Sequence, residues 1–125
     1  MIKASIIGGS GYAGGELARI LLSHPQTELV QVTSESHVGE YLYNVHPNLR
    51  GRTKLQFTTP DQIGACDVLF LALPHGEAQK KIDAFAALAP RISWIRFRHR
   101  RPRRRRWCSL IWGAARLLSA AARKR

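Results

Sequence analysis

The chain has 125 residues, enough for one domain of ordinary size. Its formal net charge of +12 comes from one end, because residues 1–95 contain eight basic and eight acidic residues, whereas residues 96–125 contain twelve basic residues and no acidic one. The first 95 residues are therefore neutral, which excludes for them the basic surface of a nucleic-acid-binding domain.

Cysteine content and hydropathy exclude further classes. Cys66 and Cys108, the two cysteines, have neither the spacing of a metal site nor the number needed for a disulfide framework, so we predict no metal site. The sequence shows no signal-peptide pattern and no apolar run of about 18 residues. We therefore expect a cytoplasmic protein without a membrane partner.

The N-terminal stretch predicts a strand, a glycine-rich turn and a helix. Residues 2–7 form a short apolar run, and Leu17, Ile20 and Leu21 have the spacing of one helical face. We predict a helix over about residues 12–23, because the next residue but one is a proline and the residue before a proline disfavours helix.

Gly9, Gly11 and Gly14 lie between this strand and helix in the pattern G-x-G-x-x-G, which is typical of dinucleotide binding. We expect Gly9 to permit the turn, Gly11 to let a phosphate approach the backbone, and Gly14 to let helix and strand pack closely. The N–H groups of the first helical turn then favour a pyrophosphate. Ser10 and Tyr12 offer side-chain contacts to phosphate; their alternative roles are a turn residue and a packed surface ring.

Residues 28–34 are rich in β-branched residues and predict a second strand, which completes a β-α-β unit with parallel strands. The end of such a strand lies beside the adenosine ribose, here at Ser34, Glu35 and Ser36. An acidic residue there binds the 2′-hydroxyl of NAD, whereas small polar residues admit the 2′-phosphate of NADP. These residues alone leave the choice of cofactor open.

A polar loop follows over residues 37–53, and its length favours a functional role. Arg50 or Arg52 could meet a phosphorylated ligand, or both could be solvated loop cations. We interpret His46, which precedes Pro47, as a turn histidine rather than a catalyst.

Further elements follow this loop. Residues 54–58 predict a short strand and residues 60–63 a turn of helix. The continuous apolar run over residues 67–73 is typical of a central parallel strand that is buried on both faces. We expect Cys66, beside this strand, to be an inert buried thiol.

Pro74, His75 and Gly76 follow the central strand at the sheet edge where ligands of open α/β sheets bind. Pro74 would set the exit turn, Gly76 would permit close backbone approach, and His75 would either reach the cofactor or bond loop carbonyls. A helix is predicted next, over about residues 76–89. Its inner stripe consists of Ala78, Ile82, Phe85 and Ala86.

Four segments in this order and spacing, residues 8–17, 32–34, 46–51 and 72–76, resemble the start of the N-acetyl-gamma-glutamyl-phosphate reductase family. That family includes the related reductase of lysine biosynthesis, which acts on aminoadipyl phosphate bound to a carrier protein. The run of residues 46–53 is particularly similar to this lysine branch. The resemblance covers about residues 1–92.

The resemblance implies an NADPH-dependent reduction of an acyl phosphate to a semialdehyde by a homo-oligomeric enzyme. In the family a cysteine thiolate forms a thioester, hydride from NADPH releases the product, and a histidine assists as acid and base. By similarity, Ser10 to Ala13 would hold the cofactor phosphates and Ser34 to Ser36 the adenosine end. Glu35 departs from the basic residue often expected there, so NAD stays open beside NADP.

The family's catalytic cysteine lies well beyond the nucleotide motifs, and nothing in this chain matches it. Cys66 precedes a core strand, and Cys108 lacks the family's Asn and Gly neighbours. We therefore assign no catalytic residue. The resemblance predicts the cofactor-binding part of a reductase, truncated before its catalytic domain and inactive by itself.

The fold class that these elements predict is α/β, with an incomplete Rossmann-like parallel sheet in residues 1–92 and a basic tail, irregular or in a short helix, in residues 93–125. The tail is rich in Arg, Ala and Trp and lacks acidic residues. We interpret it as out-of-frame translation of a GC-rich gene, which DNA sequencing tests. The alternative is a non-catalytic nucleotide- or nucleic-acid-binding module that uses this basic arm with its interleaved aromatic residues.

Overall fold

The computed structural model describes residues 1–73 and 83–94. In these residues the strands are β1 (Ile2–Ile7), β2 (Thr27–Thr33), β3 (Phe57–Thr58), β4 (Val68–Leu71) and β5 (Arg91–Trp94). The helices are α1 (Tyr12–Ser23) and the short α2 (Leu42–Val45), and single 3-10 turns span Pro47–Leu49 and Pro60–Gln62. Residues 83–86 are also helical.

The five strands form one sheet in the order β3-β2-β1-β4-β5, and every neighbouring pair is parallel. The central strand β1 is buried throughout except at Lys3, as expected for a parallel strand covered on both faces. This arrangement confirms the predicted α/β fold with a Rossmann-like sheet. The predicted bounds of α1 are also those of the structure.

The predicted strand over residues 54–58 is shorter in the structure, where only Phe57 and Thr58 pair with β2. The preceding residues bond to the polar loop instead of the sheet, and Phe57 bonds to that loop in addition to pairing with β2. Leu42 N–H donates to the Leu55 carbonyl at 2.9 Å, and Phe57 N–H donates to the Glu40 carbonyl at 2.9 Å. A long loop that folds back on the chain thus replaces the sheet partner of these residues.

Each face of the sheet has its own hydrophobic cluster. On one face, Leu17, Ala18 and Leu21 of α1 pack on β1 and β2, and the loop adds Leu42 and Leu49, both fully buried. Leu17 and Leu21 are buried as their helical spacing predicts, whereas the prediction for Ile20 is wrong, because Ile20 is only half-buried and Ala18 is buried beside the two leucines.

The opposite face is covered by residues that precede and follow β4. Phe85 is buried there as predicted, together with Ala89. The prediction for Ala86 is wrong, because this residue is exposed. The helical turn ends at residue 86, and the following turn, in which Leu88 N–H donates to the Phe85 carbonyl at 3.0 Å, directs Ala89 inward instead. Ala78 and Ile82 lie outside the described residues.

Candidate functional site

The parallel strands bring the segments that follow β1, β2, β3 and β4 to one edge of the sheet, which is where open α/β sheets bind ligands. Residues 8–11 join β1 to α1 at this edge. Gly8 has a φ of 80°, in the left-handed region that favours glycine. A Cβ there would also lie 2.7 Å from the Ala72 carbonyl oxygen. The turn therefore depends on Gly8.

The structure corrects the role that the sequence predicts for Gly9, which does not have a positive φ. Gly9 is needed for space. A Cβ at this position would overlap Cγ1 of Val32 and lie 3.3 Å from Cε1 of Phe57. The Gly9 N–H donates to the Thr33 carbonyl at 2.8 Å, so the turn lies directly against the end of β2.

Gly14 permits a close approach to the turn that follows β1, since a Cβ there would lie 2.6 Å from both the Gly8 carbonyl oxygen and the Gly9 Cα. The helix therefore contacts the turn through backbone atoms, which cannot move aside easily. Gly11 differs, because the nearest atom to its Cβ would be the Gly8 oxygen at 4.0 Å. This position faces open space, as a backbone approached by a phosphate requires.

The N-terminus of α1 has the features of an anion site. Gly11 is the N-cap residue, no side chain caps the helix, and the first turn contains no acidic residue. The Gly15 N–H makes the first hydrogen bond of the helix, donating to the Gly11 carbonyl at 2.9 Å. The preceding N–H groups of the helix have no helical acceptor and carry the positive end of the helix dipole. A phosphate fits these donors.

The side chains around this N-terminus are accessible. Ser10 and Ala13 are half-buried. Tyr12 is 92% exposed, so its ring is not packed on the protein surface. Both hydroxyl-bearing residues predicted from the glycine pattern thus lie next to the free N–H groups.

His46 contacts the glycine turn from the polar loop. Its Nε2 lies 2.7 Å from the carbonyl oxygen of Gly9, so Nε2 carries the proton and donates it. The ring lies over Gly15, where a Cβ would be 2.5 Å from Nδ1 and 2.8 Å from Nε2. The interpretation as a turn histidine missed this contact, and no local sequence signal joins His46 to the glycines.

Side chains define the segment Ser34–Ser36, which is predicted to bind the adenosine end of the cofactor. Ser34 is 3% exposed, and its N–H donates to the Thr58 carbonyl at 3.1 Å. Its Oγ accepts a hydrogen bond from the His37 N–H at 3.3 Å and lies 3.5 Å from Oγ of Ser36. Glu35 and Ser36 are exposed. The Ser34 hydroxyl is therefore used within the loop, and the next two residues face solvent.

The third predicted segment, Pro74, His75 and Gly76, lies outside the described residues. The chain leaves β4 beside the glycine turn, because Ala72 N–H donates to the Ile7 carbonyl at 2.8 Å. Leu73 Cδ2 would lie 3.0 Å from a Cβ on Gly8. Ala72 and Leu73, the last described residues before that segment, therefore lie next to the candidate site.

Cys66 is buried, as predicted, with 7% of its surface exposed. Burial raises the pKa of the Cys66 thiol, so it lacks the thiolate character of a nucleophile. Within the described part of the chain no three His, Cys, Asp or Glu side chains are grouped to hold a metal ion. Among those same residues no helix is long and apolar enough to cross a membrane.

Comparison with known protein families shows to which family a chain with this fold and this glycine turn belongs. The sequence model of the semialdehyde dehydrogenase NAD-binding domain matches residues 3–95. The chain belongs to this family. The structure of aspartate semialdehyde dehydrogenase with NADP from Candida albicans is similar, with a TM-score of 0.62 and 22% identity. The alignment covers 75% of this chain and 29% of the Candida albicans chain. This likeness establishes the semialdehyde dehydrogenase fold.

Curated relatives of this domain are acyl-phosphate reductases by name. A LysW-L-2-aminoadipate 6-phosphate reductase from Thermomicrobium roseum is 51% identical over 90 residues, covering 72% of the chain and 26% of that protein. An N-acetyl-gamma-glutamyl-phosphate reductase from Cellvibrio japonicus is 47% identical over 94 residues, covering 74% of the chain and 27% of that protein. The chain thus spans about a quarter of the length of these relatives, in their NAD-binding region. The comparisons do not support the nucleic-acid-binding alternative.

Proposed function

We propose that the chain binds NADP at the carboxyl edge of its sheet and forms the cofactor-binding part of an acyl-phosphate reductase of arginine or lysine biosynthesis. One observation carries this proposal. The α1 N-terminus is uncapped, free of acidic residues and open at Gly11, on a turn that belongs to an NAD-binding family.

The proposed contacts divide into three groups. Backbone N–H groups and the Ser10 hydroxyl would hold the pyrophosphate, with Gly9, Gly11, Tyr12, Ala13 and Gly14 shaping that turn. Ser34, Glu35 and Ser36 would meet the adenosine ribose and its 2′ substituent. Pro74, His75 and Gly76 would approach the cofactor from the end of β4.

The chemistry of the proposed reaction is the reduction of an acyl phosphate to a semialdehyde, for which bound NADPH supplies the hydride. The described residues bind and orient the cofactor. Cys66 is unsuited to the nucleophilic step, because it is buried with a raised thiol pKa. We therefore expect the described residues to bind the cofactor and Cys66 to take no part in the nucleophilic step.

We propose NADP rather than NAD because the exposed Ser36 can donate to a 2′-phosphate without burial of charge. The substrate would be an acyl phosphate, free or linked to a carrier protein. The division into an NAD(P)-binding domain at residues 1–92 and a tail at residues 93–125, the homo-oligomeric state and the cytoplasmic location stay predictions.

Titration of the whole chain with NADPH, followed by nucleotide fluorescence, tests the proposal. The control is Gly11→Val, which retains the twelve basic residues of the tail and therefore any non-specific attraction for an anionic nucleotide. We expect saturable binding by the wild-type chain and a loss of at least about tenfold in the variant, because the added side chain occupies the phosphate approach. Equal binding by both proteins would contradict the proposed site.

A further inference from the structure

We propose that His46 is a positioning residue for the cofactor: by holding the Gly9 carbonyl, it fixes the direction in which the Ser10 N–H points at the pyrophosphate. The inference rests on the proposed function, since it concerns the same glycine turn. It adds a residue from the polar loop, 37 positions along the chain from its partner, to a pyrophosphate subsite defined so far by the turn alone.

The first step is the geometry of one peptide unit. The Gly9 carbonyl and the Ser10 N–H belong to the same planar, trans peptide, so they point in opposite directions. His46 Nε2 donates to the Gly9 oxygen at 2.7 Å and therefore sets the plane of this peptide. The Ser10 N–H then points away from His46. Loss of this hydrogen bond would remove one restraint on the orientation of the peptide and of its N–H.

The second step is that Gly9 is held on both sides. Its N–H donates to the Thr33 carbonyl at 2.8 Å, and its carbonyl accepts from His46. The turn is therefore fastened to β2 through one group and to the polar loop through the other. These two hydrogen bonds restrict the orientation of the peptide groups on both sides of Gly9, and donors with a restricted orientation lower the ordering cost of association.

The third step is that His46 itself is firmly placed. Its N–H donates to the Leu42 carbonyl at 2.9 Å, and its carbonyl accepts from the Leu49 N–H at 2.9 Å. Both leucines are fully buried in the core beneath α1. Gly15 provides the space for the imidazole, because a Cβ there would collide with the ring. The loop over residues 37–53 thereby acquires a role that its polar composition does not show.

The test compares two ligands on three variants. NADPH contains the pyrophosphate, whereas 2′-AMP carries only the adenosine end, so a defect in the glycine turn affects the first ligand selectively. His46→Leu removes the donor and keeps an apolar side chain, and His46→Gln offers an amide N–H near the position of Nε2. Gly15→Ala displaces the ring from the other side. Dissociation constants are measured well below the unfolding temperature of each protein.

We expect His46→Leu to weaken NADPH binding about tenfold, at the upper end of what one hydrogen bond contributes, and to leave 2′-AMP binding unchanged. His46→Gln should recover NADPH affinity to within about threefold of wild type. Gly15→Ala should behave like His46→Leu, and it supplies the decisive comparison if the leucine variant does not fold.

Two control variants separate positioning from stability. His24→Leu removes a histidine that lies 3.0 Å from the Thr27 hydroxyl, at the opposite end of α1. Gly64→Ala adds a Cβ whose nearest neighbour is Gln31 Oε1 at 3.7 Å, an ordinary contact. Both should leave the affinities for NADPH and 2′-AMP as in the wild type.

Unchanged NADPH binding by His46→Leu and Gly15→Ala, with a wild-type chain that binds, would overturn the positioning role and leave the proposed function standing. Equal weakening of NADPH and 2′-AMP would also overturn it, because a structural defect affects both ligands. A wild-type chain that binds neither ligand would instead refute the proposed function on which the role depends.

Discussion

The glycine turn and the segment Ser34–Ser36 lie at the same sheet edge, but their shapes have different causes. The turn is defined by backbone atoms and by positions where no Cβ fits, at Gly8, Gly9 and Gly14. The other segment is defined by side chains, of which Ser34 is buried and used within the loop while the next two are exposed. Steric necessity therefore shapes the glycine turn, whereas exposed polar groups line the segment Ser34–Ser36, which we propose selects the nucleotide.

Gly14→Ala tests the steric definition of the glycine turn, and it has the largest expected effect on stability. The added Cβ would lie 2.6 Å from backbone atoms of Gly8 and Gly9, so the helix must shift away from the turn. We expect a loss of about 3 kcal/mol in the free energy of unfolding, measured by urea denaturation. Gly64→Ala, in open surroundings, should change it by less than about 0.5 kcal/mol. Equal stability of the two variants would remove the steric argument.

A double-mutant cycle at Gly9 and Val32 sharpens the same point. Gly9→Ala should cost about 2 kcal/mol, because its Cβ overlaps Val32 Cγ1. Val32→Ala removes that methyl group, so the double variant should be more stable than the sum of the two losses, by about 1 kcal/mol or more. Additive losses would mean that Gly9 acts through the backbone and not through contact with β2. The measurement is the urea midpoint of all four proteins.

Glu35→Gln tests the segment Ser34–Ser36, where we expect a change in the selectivity between NADPH and NADH. Removing a negative charge beside the 2′ position should strengthen NADPH binding about threefold and weaken NADH binding. Glu28→Gln makes the same charge change at the opposite end of β2, where the residue is exposed, and should alter neither affinity. Stronger NADH binding than NADPH binding in the wild type would reverse the proposed cofactor preference.

The same contrast explains what could be predicted from the sequence. The order of the elements, the bounds of α1 and the location of the phosphate turn depend on local periodicity and on glycine spacing, which a single sequence contains. The sequence could not show that the positive φ falls on Gly8 and not on Gly9, because the two glycines are adjacent. The contact from His46 to Gly9 joins residues 37 positions apart, and the short β3 results from loop pairing; both are set by tertiary structure.

The ion pair between Glu16 and Arg19 on α1 provides the smallest expected effect. The Arg19 guanidinium hydrogen-bonds the Glu16 carboxylate, Nε donating at 3.0 Å, and lowers the pKa of that carboxyl below its ordinary value of 4.5. A lowered folded-state pKa means that this stability is present above pH 4.5 and is lost as the pH falls through the folded-state pKa. Both side chains are partly exposed, so Arg19→Met should cost only about 0.3 kcal/mol at neutral pH.

Thermal unfolding of the wild type and Arg19→Met checks this expectation, with a difference of about 2 °C or less at pH 7 that disappears in acid. Arg19→Met also tests whether backbone N–H groups or side-chain charge attract the phosphates at the glycine turn. If backbone N–H groups bind the pyrophosphate, removing a cation from the second turn of α1 should leave NADPH affinity unchanged. A marked loss would show that side-chain charge, and not the helix N-terminus alone, attracts the phosphates.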